Sequence, residues 1–86
     1  MGLGEFVKTA REAKGLRQVQ LSKLARVPLA TIRDLEQGRV KTVRLETARR
    51  LARTLGVSVD QMADAALESE IELAVAHTAP RNRQRQ

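Results

Sequence analysis

Cysteine, tryptophan and tyrosine are absent from this 86-residue chain, and Phe6 is its one aromatic residue. Without cysteine there is no disulfide staple, and the commonest structural zinc ligands are missing. Without large rings the core must be filled by Leu, Val, Ile and Ala. A domain of this size buries a modest core, so its helices must pack closely or a second copy must add buried area. Long hydrophobic runs are missing too. No apolar stretch approaches the roughly 20 residues needed to span a bilayer, and the first ten residues do not read as a signal peptide. Gly2 is followed by Phe6 where a myristoylation signal requires Ser or Thr. The expectation is a soluble, cytoplasmic protein with no membrane partner. The only histidine, His77, has no nucleophile–base partner, and no cluster of metal ligands or cofactor motif is visible. The chain therefore reads as a non-enzyme, with no catalytic residue, metal site or cofactor.

Charge is what the chain has in abundance, and it is unevenly spread. The formal net charge is +6. From Met1 to Val57 there are 13 Lys and Arg against 5 Asp and Glu; from Ser58 to His77 there are none against 5. Arg81, Arg83 and Arg85 follow in the tail. A basic body suits a polyanionic partner, because neutralising phosphates releases condensed counterions. A merely solvated basic surface has the same composition. Charge alone does not choose between them.

Apolar residues recur at helical spacing, and nothing alternates at period two for long enough to form a sheet. Leu3, Phe6, Val7, Ala10 and Ala13 mark a first helix over 3–14, ended by Gly15. A second helix over 18–25 turns Leu21, Leu24 and Ala25 inward. Val27-Pro28 then breaks the chain, since the residue before proline is pushed out of helical geometry while proline suits a first turn. A third helix is expected from Pro28 or Leu29, with Ile32 and Leu35 inward and a stop at Gly38. After the basic loop 39–42, a fourth helix over 43–55 buries Leu45, Ala48, Leu51, Ala52 and Leu55, and Gly56 closes it. Ser58 with Gln61 three residues on reads as a capping box for a fifth helix. Its stripe runs through Val59, Met62, Ala63, Ala66, Leu67, Ile71, Ala74 and Val75. The reading divides the chain into a body over 1–66, a helical extension over 67–77 and a basic, disordered tail over 78–86.

Two short helices joined by a three- or four-residue turn across 18–37 have the spacing of a helix-turn-helix. Leu21, Ala25, Val27, Ile32 and Leu35 would lock the pair at a steep angle, with small Ser22 near the crossing. The same positions would also serve as the core of an ordinary helical bundle.

A longer set of residues is more specific. Gly15-Leu16-Arg17-Gln18, Leu21-Ser22, Val27, Thr31-Ile32, Leu35-Glu36-Gln37-Gly38 and the run Leu51-Ala52-Arg53-Thr54-Leu55-Gly56-Val57 together resemble the Cro/repressor-type helix-turn-helix family, also called the xenobiotic-response-element family. The resemblance covers 3–62. It implies an all-α, five-helix, lambda-repressor-like domain, here with an extended C-terminal helix. It also implies double-stranded DNA as partner, a homodimer on an inverted repeat, and repression of transcription.

Residue by residue, the resemblance makes Gln18 a phosphate contact and Arg11 with Glu36 a structural ion pair tying the first helix to the end of the third. Base reading falls to the exposed start of the third helix: Pro28, Leu29, Ala30, Arg33 and Asp34. The guanidinium of Arg33 suits both acceptors of guanine, and suits a phosphate equally. Leu29 and Ala30 depart from the polar residues common in the family; they can pack on thymine methyl groups but donate nothing. Arg26 stands where the family often has glycine in the turn. It costs up to about 1 kcal/mol if its backbone is left-handed and places a charge beside the DNA backbone. Arg17, Arg39, Lys41 and Arg44 complete the expected phosphate contacts, while Lys8, Lys14, Arg49, Arg50 and Arg53 are assigned to solvated faces.

The fifth helix is longer than such a domain can cover. Val59, Met62 and Ala63 are expected inside, and Leu67, Ile71 and Val75 beyond, as a contact for a second copy or another protein; alternatively the helix end folds back on its own domain. Two other functions fit the same residues. One is an antitoxin that grips a toxin through this helix or the tail. The other is a protein-binding adaptor that does not read DNA, suggested by Leu29 and Ala30.

Overall fold

The computed structural model describes residues 2–67; the expected contacts Ile71 and Val75 and the basic tail lie outside them. Within that range the chain is all-α. Helix α1 spans Leu3–Ala13, α2 Gln18–Ala25, α3 Leu29–Glu36 and α4 Leu45–Leu55. Residues 59–67 form a fifth helix, α5, that reaches the last described position. No strand occurs among the described residues.

Side chains from all five helices meet in one core. Val7, Leu21, Ile32, Leu35 and Leu51 have no exposed surface, and Leu3, Ala25, Val27, Ala52, Leu55 and Met62 have almost none. Each large apolar side chain so buried contributes roughly 1.5–3 kcal/mol relative to an exposed one. Phe6 only flanks this cluster, so aliphatic packing dominates, as the lack of aromatics requires.

Four positions expected to face inward are exposed instead. On α2 the pair Leu21 and Ala25, four residues apart, faces the core, which turns Leu24 outward to 63% exposure. Helix α4 begins at Leu45 and not Val43, with Arg44 as its extended N-cap. Leu45 is thus a first-turn residue that overhangs the core at 60% exposure, and Ala48, Leu51, Ala52 and Leu55 make the contact. Ala13 and Ala63 are exposed as well, and on α5 it is Ala65 that is buried, three residues after Met62. Helix α3 starts at Leu29, with Pro28 outside as N-cap accepting from the Thr31 and Ile32 amides.

Two local devices set how α3 sits. At Gly4, α1 approaches the C-terminal end of α3 so closely that a Cβ would overlap the Leu35 carbonyl oxygen. In the turn between α2 and α3, Arg26 is left-handed, at φ 59° and ψ 45°. Ser22 staples that turn: its carbonyl accepts the Val27 amide at 3.1 Å, and its hydroxyl donates to the Val27 carbonyl at 2.6 Å. At the start of α5 the capping box is reciprocal, with Ser58 N–H to Gln61 Oε1 at 2.9 Å and Gln61 N–H to Ser58 Oγ at 3.0 Å.

Candidate nucleic-acid interface

Helix α3 is pinned on its inner side by Ile32 and Leu35, and the opposite side is open. Pro28, Ala30, Arg33 and Gln37 are exposed, while Leu29, Thr31 and Asp34 are half-buried. Arg33 makes no hydrogen bond or ion pair with the described residues, so its guanidinium is uncommitted there. Asp34 is engaged: its Oδ1 accepts from Arg39 Nε at 2.9 Å. A trough runs beside the helix, with Thr31 and Asp34 on one wall and Thr42, Arg44 and Thr47 on the other. Of the three threonines there, Thr31 belongs to the motif residues already quoted, while Thr42 and Thr47 were not singled out from sequence, because threonine carries no positional signature of its own.

The end of α3 is anchored to α1 and α2 by one polar network. Arg11 donates from Nε to Glu36 Oε2 at 2.8 Å and from Nη2 to Oε1 at 3.0 Å, a two-pronged pair, and from Nη1 to the Leu16 carbonyl at 2.8 Å. The side chains are 11% and 3% exposed. Hydrogen bonding to Glu36 raises the Arg11 pKa above its ordinary value, against the opposing effect of burial. Gln18 joins the network through an Nε2–H bond to Glu36 Oε1 at 3.0 Å. One N–H of this expected phosphate contact is therefore spent inside the protein, which orients the amide and leaves the other N–H available. A partner 18 residues away carries no spacing signal in the sequence.

The expected phosphate-binding cations separate into groups. Arg17 is the N-cap of α2, where its amide donates to Gln20 Oε1 at 2.8 Å. Arg39, Lys41 and Arg44 are exposed in the segment from α3 to α4. Arg26 keeps different company: with Arg49, Arg50 and Arg53 it lines a concavity beside Leu24 and Glu46. Arg50 donates to the Arg26 carbonyl at 3.1 Å and to Glu46 Oε2 at 3.0 Å. These α4 arginines are exposed, as expected of a solvated face, but their grouping around Arg26 depends on the α2–α4 packing and was missed.

On another face, Leu45, Ala48, Val59, Ala66 and the half-exposed Leu67 line an apolar groove. Leu67 had been expected to reach beyond the core; Leu45 had not. Among the described residues no group of three or more His, Asp or Glu is placed to hold a metal ion, and no helix is long and apolar enough to cross a membrane.

Residues 2–65, three-quarters of the chain, match the helix-turn-helix domain family. The chain belongs to that family. In a helix-turn-helix domain of this kind the second helix of the motif enters the major groove while the first crosses the backbone; here those are α3 and α2, and double-stranded DNA is the partner such a motif serves. The fold is similar to that in the crystal structure of the clp gene regulator ClgR from Corynebacterium glutamicum, with a TM-score of 0.66 and 29% sequence identity over 87% of this chain and 79% of that one. No curated protein sequence matches the chain.

Proposed function

We propose that this helix-turn-helix protein is a sequence-specific transcriptional regulator of the Cro/repressor type, which binds an inverted repeat in DNA as a homodimer and represses from it. The observation that carries the reading is the outward face of α3. It presents Ala30 and an uncommitted Arg33, no helix among the described residues covers it, and exposed cations stand in the segments before α2 and after α3. Similarity to a regulator of clp genes supports a role in transcription. The apolar groove between Leu45 and Leu67 supports a second copy as the covering partner. An adaptor that only binds protein is the weaker reading, because Leu29, one of the two residues that suggested it, is half-buried against its own domain.

Selecting bound duplexes from a random pool at low salt tests the proposal. The expected result is a two-fold symmetric motif whose half-sites lie about 34–36 Å apart, one turn of DNA. An asymmetric motif would sink the dimer, and failure to enrich any duplex would sink the reading as a DNA-binding regulator. Co-purification with a small basic toxin would move the assignment to the antitoxin alternative.

A further inference from the structure

The outward side of α3 carries a carboxylate, which is an unexpected group to aim at a polyanion. The Asp34 side chain is 40% exposed but paired: its Oδ1 takes the Arg39 Nε–H at 2.9 Å. The backbone reinforces the contact, because the Arg39 amide donates to the Asp34 carbonyl at 2.8 Å. Both ends of the pair are therefore held. Oδ2 accepts no hydrogen bond from the described residues. One turn earlier on the same face stands Ala30, exposed, with no side-chain atom beyond Cβ to hold a duplex away.

We propose that Asp34 is a specificity-determining residue that reads a cytosine in each half-site, with Oδ2 accepting from the N4 amino group while Arg39 holds and neutralises the carboxylate. The inference rests on the DNA-reading function proposed above. Base chemistry narrows the choice. In the major groove only cytosine N4 and adenine N6 donate. Adenine sets the N7 acceptor beside its amino group, which repels a carboxylate; cytosine has no acceptor on that side. Guanine and thymine offer acceptors but no donor to the groove, so a carboxylate is repelled by both. A carboxylate without Arg39 would also be repelled by the phosphates, so the ion pair is what makes this reader tolerable in the groove. Discrimination then comes as much from repulsion of the three wrong bases as from one good bond.

Duplex selection with the wild-type chain, Asp34→Asn and Asp34→Gln tests this. The substitutions remove the charge and supply an amide, which pairs with adenine N6 and N7. The wild type is expected to select C·G at one position of each half-site, and both variants to select A·T there with the rest of the motif unchanged. Measured on matched duplexes, the wild-type preference for cytosine over adenine should be about 5- to 150-fold and should vanish or invert in the variants. Arg39→Ala should bind all duplexes more weakly and lose part of the cytosine preference. If the variants bind DNA and select the wild-type motif, Asp34 is only the fastener of the loop after α3 and the inference is wrong, while the DNA-reading function stands. If the wild type itself enriches no duplex, both fail together.

Discussion

Arg26 and Arg11 are two arginines used in opposite ways. Arg26 occupies a left-handed position at φ 59° that a glycine fills at lower cost. Arg26→Gly should raise stability by about 1 kcal/mol, which in a domain of this size is about 4–8 °C in thermal midpoint. If the Arg26 side chain touches a phosphate, the same variant should flatten the log–log salt slope of DNA binding by about one per protomer; melting and binding curves on one preparation report both. Arg11 is structural. Removing it by Arg11→Ala leaves the Glu36 carboxylate, 3% exposed, with only Gln18 to bond. A buried charge stripped of its ion partner costs about 3–5 kcal/mol, a large share of the 5–15 kcal/mol that holds a typical domain together. Urea denaturation should show that loss, and DNA binding should fail through unfolding; a variant that melts like the wild type would refute the assignment. The pairing of Arg11 with Glu36 came from the family resemblance. The role of Gln18 in the same network did not, because its bond to Glu36 is a property of three helices meeting.

At the scale of elements, boundaries were predictable where the chain carries a chemical stop. Helix α2 runs over the expected residues, because Val27-Pro28 forces the break after it. The start of α4 carries no such marker, so helical spacing alone carried the expected helix two residues too far, to Val43. The outward turn of Leu24 and Leu45 has a related cause. A helix with apolar residues on adjacent positions has more than one plausible inner face, and the neighbour it packs on selects among them. Gly4 provides a sharper test of packing. In α1 it reads as a weak helix residue, yet it is where α1 meets the Leu35 carbonyl at the end of α3. Gly4→Ala, favourable by helix propensity, should instead destabilise the protein by about 1–3 kcal/mol, because the atom in the way is backbone and does not rotate aside. A denaturant midpoint above that of the wild type would show that α1 and α3 separate easily.

For the whole molecule the decisive quantities are charge and copy number. If each subunit of a dimer neutralises three to five phosphates, the logarithm of the DNA-binding constant should fall against the logarithm of salt concentration with a slope of roughly −5 to −9. A slope near zero would mean that the cations of 17–44 stand away from the duplex. The apolar groove predicts a second measurement. Leu67→Glu, at a half-exposed position, should leave the thermal midpoint of the domain near that of the wild type at low protein concentration but shift sedimentation from dimer to monomer. Binding to the symmetric site should weaken accordingly.

Periodicity, Gly15 and Val27-Pro28 were enough to mark out the helices of the body, because helices and their breaks depend on bonding within a few residues; that 18–37 is a helix-turn-helix and not part of an ordinary bundle came from the resemblance carried by the motif residues of 15–57. The outward α3 and the basic character of the segments around it follow from that same local order. Apart from the Arg11–Glu36 pair, which the resemblance supplied, what required the packed chain was contact between distant residues: the Gln18 bond to Glu36, the close approach at Gly4, the grouping of Arg26 with the α4 arginines, and the exposure of Leu24 and Leu45. Each depends on the rotation of one helix against another. That rotation is chosen by how the aliphatic core of all five fits together, and no local pattern records it.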